Sequence, residues 1–399
     1  MKKHPFLLVL AIIMSALAGG LHAQISCLPD GISFTSQTQI DSFPVNYPGC
    51  TMIEGSVFIL EDVNAGIISL DSLYPISSIG GDLQIGSFDP SANKNVALED
   101  LKGLESLTAI GGSLLVSNNA SLKSLDGLDN LTSIGNSIYI GNNDPDLGLS
   151  GNPALISLYG LHKLTDIPGD LHLYANNALV SLNGLSQLQS IGGKLSLGAN
   201  DGLMNLNGLE KLTYVGGSLT LFGCDNLKNL SGLDGLTAID GLFRVIFNVS
   251  LTSLTGLDNL EHSTIQYIMV RDNPSLSLCE IQPICAYIQN GGSATITNNF
   301  SGCNTQEEVE DACQAVSVDD LLLDDAIQLF PNPTTGIVQL EMPIKGEWKV
   351  GVRDATGRMI IDLHEWIDSE IDLSGLQSGV YFLTLSDGQQ WVVKRVVKE

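Results

Sequence analysis

The stretch GLSQLQSIGGKLSLGANDGLMNLN at residues 184–207 is followed at once by GLEKLTYVGGSLTLFGCDNLKNLS at residues 208–231, and the two align without a gap. Each opens with Gly-Leu, carries an Ile-Gly-Gly or Val-Gly-Gly marker seven residues on, and then places two leucines one residue apart, Leu195/Leu197 and Leu219/Leu221. Working outward, Gly-Leu recurs at Gly103, Gly127, Gly160, Gly184, Gly208, Gly232 and Gly256, always 24 residues apart except for one interval of 33. The second marker runs through Ile79, Ile110, Ile134, Ile167, Ile191, Val215 and Ile239; Ile53 and Ser263 stand at equivalent places, which makes about nine coils. One period held over so many units is the signature of a stacked array.

Each coil has a physical reading. The apolar pair four and six residues after the marker describes a short strand with one buried face. Asn119, Asn143, Asn176, Asn200 and Asn248 occupy the ninth position, where stacked amides satisfy backbone groups at each turn. Cys224 takes that place in its own coil and reads as a buried, unpaired thiol. No coil can bury its leucines alone, so stacking supplies the core and parallel strands join neighbours. The pattern over roughly residues 50–300 resembles the leucine-rich-repeat relatives with a receptor L-domain-like fold. The resemblance implies an all-β, right-handed β-helix or leucine-rich-repeat-like solenoid of 24-residue coils, with no catalytic residues and no fixed ligand.

The sequence then changes texture. After an acidic, non-periodic linker at 314–326, short alternating runs separated by turn residues fill 327–399, as expected of a small Ig-like β-sandwich. Pro331-Asn332-Pro333, Gly336, Asp354-Ala-Thr-Gly357-Arg358, Leu373 through Gly379-Val380-Tyr381, and the basic end Lys394, Arg395 and Lys398 together resemble the type A C-terminal sorting domain of the type IX secretion system, a Bacteroidetes export route. That resemblance implies the secretion machinery as a partner, delivery across the outer membrane, and a secreted or surface-attached product.

The N-terminus and the cysteines agree with an extracellular address. Lys2, Lys3 and the apolar run from Phe6 to Ala18 read as a signal peptide over 1–23, and no later segment is apolar enough to span a bilayer. Cys27 and Cys50 lie at one end of the array; Cys279, Cys285, Cys303 and Cys313 lie at the other, with no C-x-x-C pair to suggest zinc. All six are disulfide candidates, with the pairing of the last four left open. The expected organisation is a disulfide-closed cap over 24–52, the solenoid over 53–278, a Cys-rich cap over 279–313, the linker and the tail.

Composition bears on function by exclusion. The chain of 399 residues has 18 Lys+Arg against 44 Asp+Glu, a net charge of -26, which argues against nucleic acid as a partner. Residues 24–326 hold 9 Lys+Arg and 34 Asp+Glu, so the array carries nearly all the acidity and favours neutral or cationic partners. The outward columns, five and seven residues after each marker, place Tyr139, His172, Tyr174, Phe222 and Arg244 across neighbouring coils, the makings of a recognition patch for an extracellular glycan or protein. Over the outward positions three, five and seven, only Asp170, His172, Lys194 and Arg244 have chemical capability, and no paired acids, P-loop or nucleophile elbow occurs, so no enzyme, cofactor or metal is expected. The insertion at 142–152, with Asp144 and Asp146, reads as a solvated loop rather than a Ca²⁺ site. The reading is a non-catalytic recognition or adhesion protein. A structural surface component without a discrete ligand stands next, and a carbohydrate-active β-helix enzyme last.

Overall fold

The computed structural model describes residues 25–62, 66–89, 95–144, 148–314, 327–341, 349–354, 358–365, 370–386 and 391–399. The expected signal peptide, nearly all of the acidic linker, Asp146 and the side chain of Asp144 lie outside them.

Successive repeats each lay one strand beside the last. The result is an 11-stranded parallel sheet whose spatial order is its chain order, from Ile32–Phe34 and Val57–Ile59 through Leu171–Tyr174, Leu195–Gly198, Leu219–Phe222 and Leu242–Ile246 to Tyr267–Arg271 and Ala294–Thr297. The markers form a second, narrower pairing of strands two to four residues long, in a 5-stranded group ending at Ser133–Ile134 and a 4-stranded group starting at Asp166–Ile167. The break between them coincides with the long interval. There the chain makes an antiparallel excursion, Asn142–Asp144 against Gly148–Ser150, before the next repeat begins.

Leucine fills the interior. In the repeat 184–207, Leu185, Leu188, Ile191, Leu195, Leu197, Leu203 and Leu206 are all buried. At about 1.5–3 kcal/mol for each fully buried side chain, these ladders are the main source of cohesion between repeats. The Gly-Leu corner needs glycine for two reasons at Gly208: its φ is +113°, and a Cβ there would meet the Leu182 carbonyl carbon at 2.1 Å. The same corner binds an acid, since the Gly208 N–H donates to the Glu210 carboxylate at 3.0 Å.

The ladder of amides is continuous and longer than the sequence suggests. It runs Asn95, Asn119, Asn152, Asn176, Asn200, Cys224, Asn248, Asn273, Asn299. Asn152 serves the inserted repeat, not Asn143, because the antiparallel excursion removes 142–150 from the stack. The strand register also places Thr264, not Ser263, opposite Ile239, since Leu242 pairs with Tyr267. The long sheet has eleven strands where nine coils were expected, because the cysteine-bearing ends contribute strands of their own.

Those ends close the core. At the first, Phe34 packs edge-on against Phe43 at 5.7 Å, and both are buried with Ile40. At the second, the helix Gln282–Gln289 turns Ile284, Tyr287 and Ile288 inward. Disulfides join Cys27 to Cys50, Cys279 to Cys303 and Cys285 to Cys313, with Cα separations of 5.8, 5.6 and 5.4 Å. Cys224 is free and buried.

The C-terminal segment has a separate core, made by Val338, Leu340, Val350, Val352, Leu373, Leu383, Leu385 and Val396. Around it lie two antiparallel sheets. One contains Gln328–Phe330, Ile337–Glu341 and Glu370–Asp372; the other contains Met359–Glu365, Lys349–Asp354, Gly379–Ser386 and Trp391–Lys398.

Candidate functional site

The outward side of the long sheet holds the expected residues in strict register. Tyr139 pairs with Leu115 on one side and His172 on the other, followed by Ser196, Thr220, Arg244 and Met269. Alternation along each strand sends these side chains away from the leucine core. One column across, Tyr174, Gly198, Phe222, Ile246 and Arg271 align likewise.

The rings make two groups. Tyr139 lies 4.9 Å from His172, His172 lies 6.1 Å from Tyr174, and Phe88 meets Tyr139 edge-on at 6.4 Å. Phe222 meets Phe247 edge-on at 5.7 Å, and the Arg271 guanidinium stands 5.4 Å over the Phe247 ring. Tyr174 does not project as an anchor. It is only 8% exposed, because its ring lies across Gly198 of the next repeat, where a Cβ would sit 2.2 Å from Cε1.

Charge is sparse and placed between the two groups. His172 Nε2 lies 3.4 Å from Asp170 Oδ2 without hydrogen-bond geometry, and Asp170 Oδ1 accepts the Lys194 N–H at 2.7 Å. Burial pushes the His172 imidazole below its usual range, with Asp170 opposing, so the ring is neutral near pH 7. Burial raises the Tyr174 phenol, while the Ser196 hydroxyl and the Arg244 charge act the other way. Arg244 Nε is shielded from solvent with no hydrogen-bond partner, and among the described residues neither Arg244 nor Lys194 forms an ion pair.

Phe88, Phe247 and Arg271 belong to this face and escaped the column reading. Position eight after most markers turns the chain through the left-handed region, at Asn118, Ala175, Ala199, Gly223, Phe247, Asp272 and Asn298, while Gly86 and Gly141 do so one residue earlier in their repeats. Asn, Asp and Gly accept that conformation readily, whereas a bulky Phe at φ +60° costs on the order of 1–3 kcal/mol. Phe247 is nevertheless 44% exposed. A phenylalanine at this turn was the available signal. Among the described residues no group of three or more His, Cys, Asp or Glu is arranged to hold a metal.

In the tail, the two ends of the sorting motif clasp each other. Asn332 Nδ2 donates to the Arg395 carbonyl at 2.7 Å, and Asn332 Oδ1 accepts the Val397 N–H at 2.9 Å. Lys398 Nζ donates to the Thr335 carbonyl at 3.0 Å, and Gly379 pairs with Lys398 across the strands. Gly336 accepts the Leu373 N–H, and a Cβ on Gly336 would press within 2.5 Å of Ser374 Oγ. Tyr381 donates its hydroxyl to the Gln377 carbonyl at 2.8 Å. Pro331 and Pro333 flank the Asn332 clasp in sequence, while Lys394 pairs with Leu383 on the adjacent strand.

Family comparisons place both segments. Residues 49–184 match the receptor L domain, and residues 328–399 match the secretion system C-terminal sorting domain. The chain therefore joins a receptor L-domain segment to a type IX sorting tail, as the two resemblances in the sequence imply. No curated protein matches the chain. The sorting tail directs the protein to the cell surface or the extracellular space and implies contact with the type IX machinery. Among the described residues, no helix is long and apolar enough to cross a membrane.

Proposed function

We propose that this is a non-catalytic recognition or adhesion protein, in which a right-handed, leucine-rich-repeat-like solenoid presents its long sheet to an extracellular glycan or protein. The tail, read as an Ig-like sandwich, is its export address. The observation that carries the reading is the set of rings on the outer face: Phe88, Tyr139 and His172 on one side, Phe222 and the strained, exposed Phe247 on the other. Rigid aromatic surface on a sheet is typical of binding hot spots, and strain kept at an exposed residue points to use. The lack of any paired acid or nucleophile-base constellation on this face supports a role without catalysis.

Glycan and protein arrays test the proposal. The exported protein is screened alongside a Tyr139→Ala/Phe222→Ala variant. Loss of a hot-spot aromatic costs about 2 kcal/mol, so a ligand of this face binds the variant on the order of thirty-fold more weakly. Equal binding by both proteins overturns the assignment of this face.

A further inference from the structure

We propose that the long-sheet face takes an oligosaccharide carrying a single carboxylate, its acid group held by Arg244 and its sugar rings lying against the flanking aromatics. The inference deepens the recognition reading and rests on it.

The middle of the face is polar and the two ends are aromatic. Ser196 and Thr220 lie between His172 on one side and Arg244 on the other, in unbroken register. Arg244 keeps a guanidinium N–H that is hidden from water and unpaired. A carboxylate meets a guanidinium fork with two parallel bonds, and the half-buried Arg244, which forms no ion pair among the described residues, is the group on this face free to offer one. Two acids along this face are engaged elsewhere: Asp170 beside His172 and the Lys194 backbone, Asp272 with Arg271 at 2.6 Å. Lys194 is exposed, two strands from Arg244 and two residues back along the strand direction, about 12 Å away at the sheet spacing.

The ring arrangement favours a sugar over a peptide. Tyr139 and His172 stand side by side on the sheet, their rings 4.9 Å apart and tilted by 37°. The strand backbones under this face are already paired in the parallel ladder, so an extended peptide finds no strand edge here. Flat apolar ring faces suit the C–H face of a pyranose. The whole-chain charge of -26 sets the limit on the ligand: a polyanion is repelled at long range, whereas one carboxylate at short range is not.

The test uses the exported protein and three probes: a trisaccharide ending in glucuronic acid, the same trisaccharide with its carboxyl reduced to the alcohol, and polygalacturonate. The acidic trisaccharide should bind about thirty-fold more tightly than its reduced form, the scale of one charge-assisted contact, and more tightly than polygalacturonate. Arg244→Gln should abolish that preference, Arg244→Lys should restore part of it, and Lys228→Gln on the return path should leave it intact. Thermal melts of the variants check that the fold is kept. Equal affinity for the acidic and reduced trisaccharides, or a preference that survives Arg244→Gln, overturns the acidic-sugar inference. In either case, continued sensitivity of binding to Tyr139→Ala/Phe222→Ala leaves the recognition reading standing, and insensitivity removes both. Failure of all three probes to bind also overturns the inference, and the array screen then decides the recognition reading by itself.

Discussion

Replacing Asn248 by Ala tests the amide ladder where it is most exacting. The side chain is fully buried and makes four contacts: Oδ1 accepts the Cys224 N–H at 3.0 Å, and Nδ2 faces the carbonyls of Leu221 and Ile246 and Asn273 Oδ1 at 3.2, 3.1 and 3.1 Å. Alanine leaves the Cys224 N–H buried and unpaired, at about 1–3 kcal/mol, and removes donors whose net worth is about 1 kcal/mol. A loss of about 3 kcal/mol is expected. The reverse substitution is already indicated by the chain. Cys224 stands where every neighbouring repeat has Asn, and its thiol only receives the Asn200 N–H and lies 4.0 Å from the Phe222 carbonyl. Cys224→Asn should therefore stabilise by about 1 kcal/mol. Urea unfolding followed by far-UV circular dichroism reads the array, while tryptophan fluorescence reads the tail alone, because Trp348, Trp366 and Trp391 all lie there. An Asn248→Ala variant within about 0.5 kcal/mol of the parent, or a Cys224→Asn variant that is less stable, refutes the ladder as a source of cohesion.

Denatured, unreduced protein should titrate one thiol per chain, Cys224; in the native state that thiol should resist iodoacetamide at about pH 8, because burial holds its pKa up to about 11. Rapid native alkylation refutes the burial. His172 should titrate below the ordinary histidine range in an NMR titration. Its neutral form is favoured by folding, so its contribution is present above the unfolded pKa and is lost as pH falls through the folded value; His172→Gln should flatten that acid limb, and an unchanged limb contradicts it. Asn332→Ala should lower tail stability by about 1–2 kcal/mol in the tryptophan signal while leaving the circular dichroism transition of the array unmoved, and a shift of both together contradicts the separate cores.

The repeat was legible because every unit solves the same problem with the same residues: leucines at the strand and on the return path, glycine at a corner where nothing larger fits. Relations between repeats were harder to read. Asn143 and Asn152 both look like ladder residues, and only the antiparallel excursion between them decides for Asn152. Tyr174 has the pattern of an outward aromatic, yet its exposure depends on Gly198 in the neighbouring repeat, which lets the ring lie down. Phe247 sits at a turn whose conformation is set by the backbone, so a reading of alternating strand positions passes over it. The tail motif was visible as separate pieces, and the clasp explains their spacing: Asn332 meets Val397 across 65 residues of chain, and Lys398 meets Thr335 across 63.

Hydroxyl-radical footprinting of the exported protein with its array-identified ligand tests the central claim most directly. Met269 lies on the long-sheet face beside Arg244, whereas Met204 is 59% exposed on the return path, in the same 24-residue column as Ile156 and Val180. Both thioethers oxidise readily, so one sample carries its own control. Ligand should protect Met269, Phe222 and Tyr139 and leave Met204 and Tyr159 at their unbound rates. Protection of Met204 with no change at Met269 and Phe222 would put the ligand on the opposite side of the repeats and contradict the account.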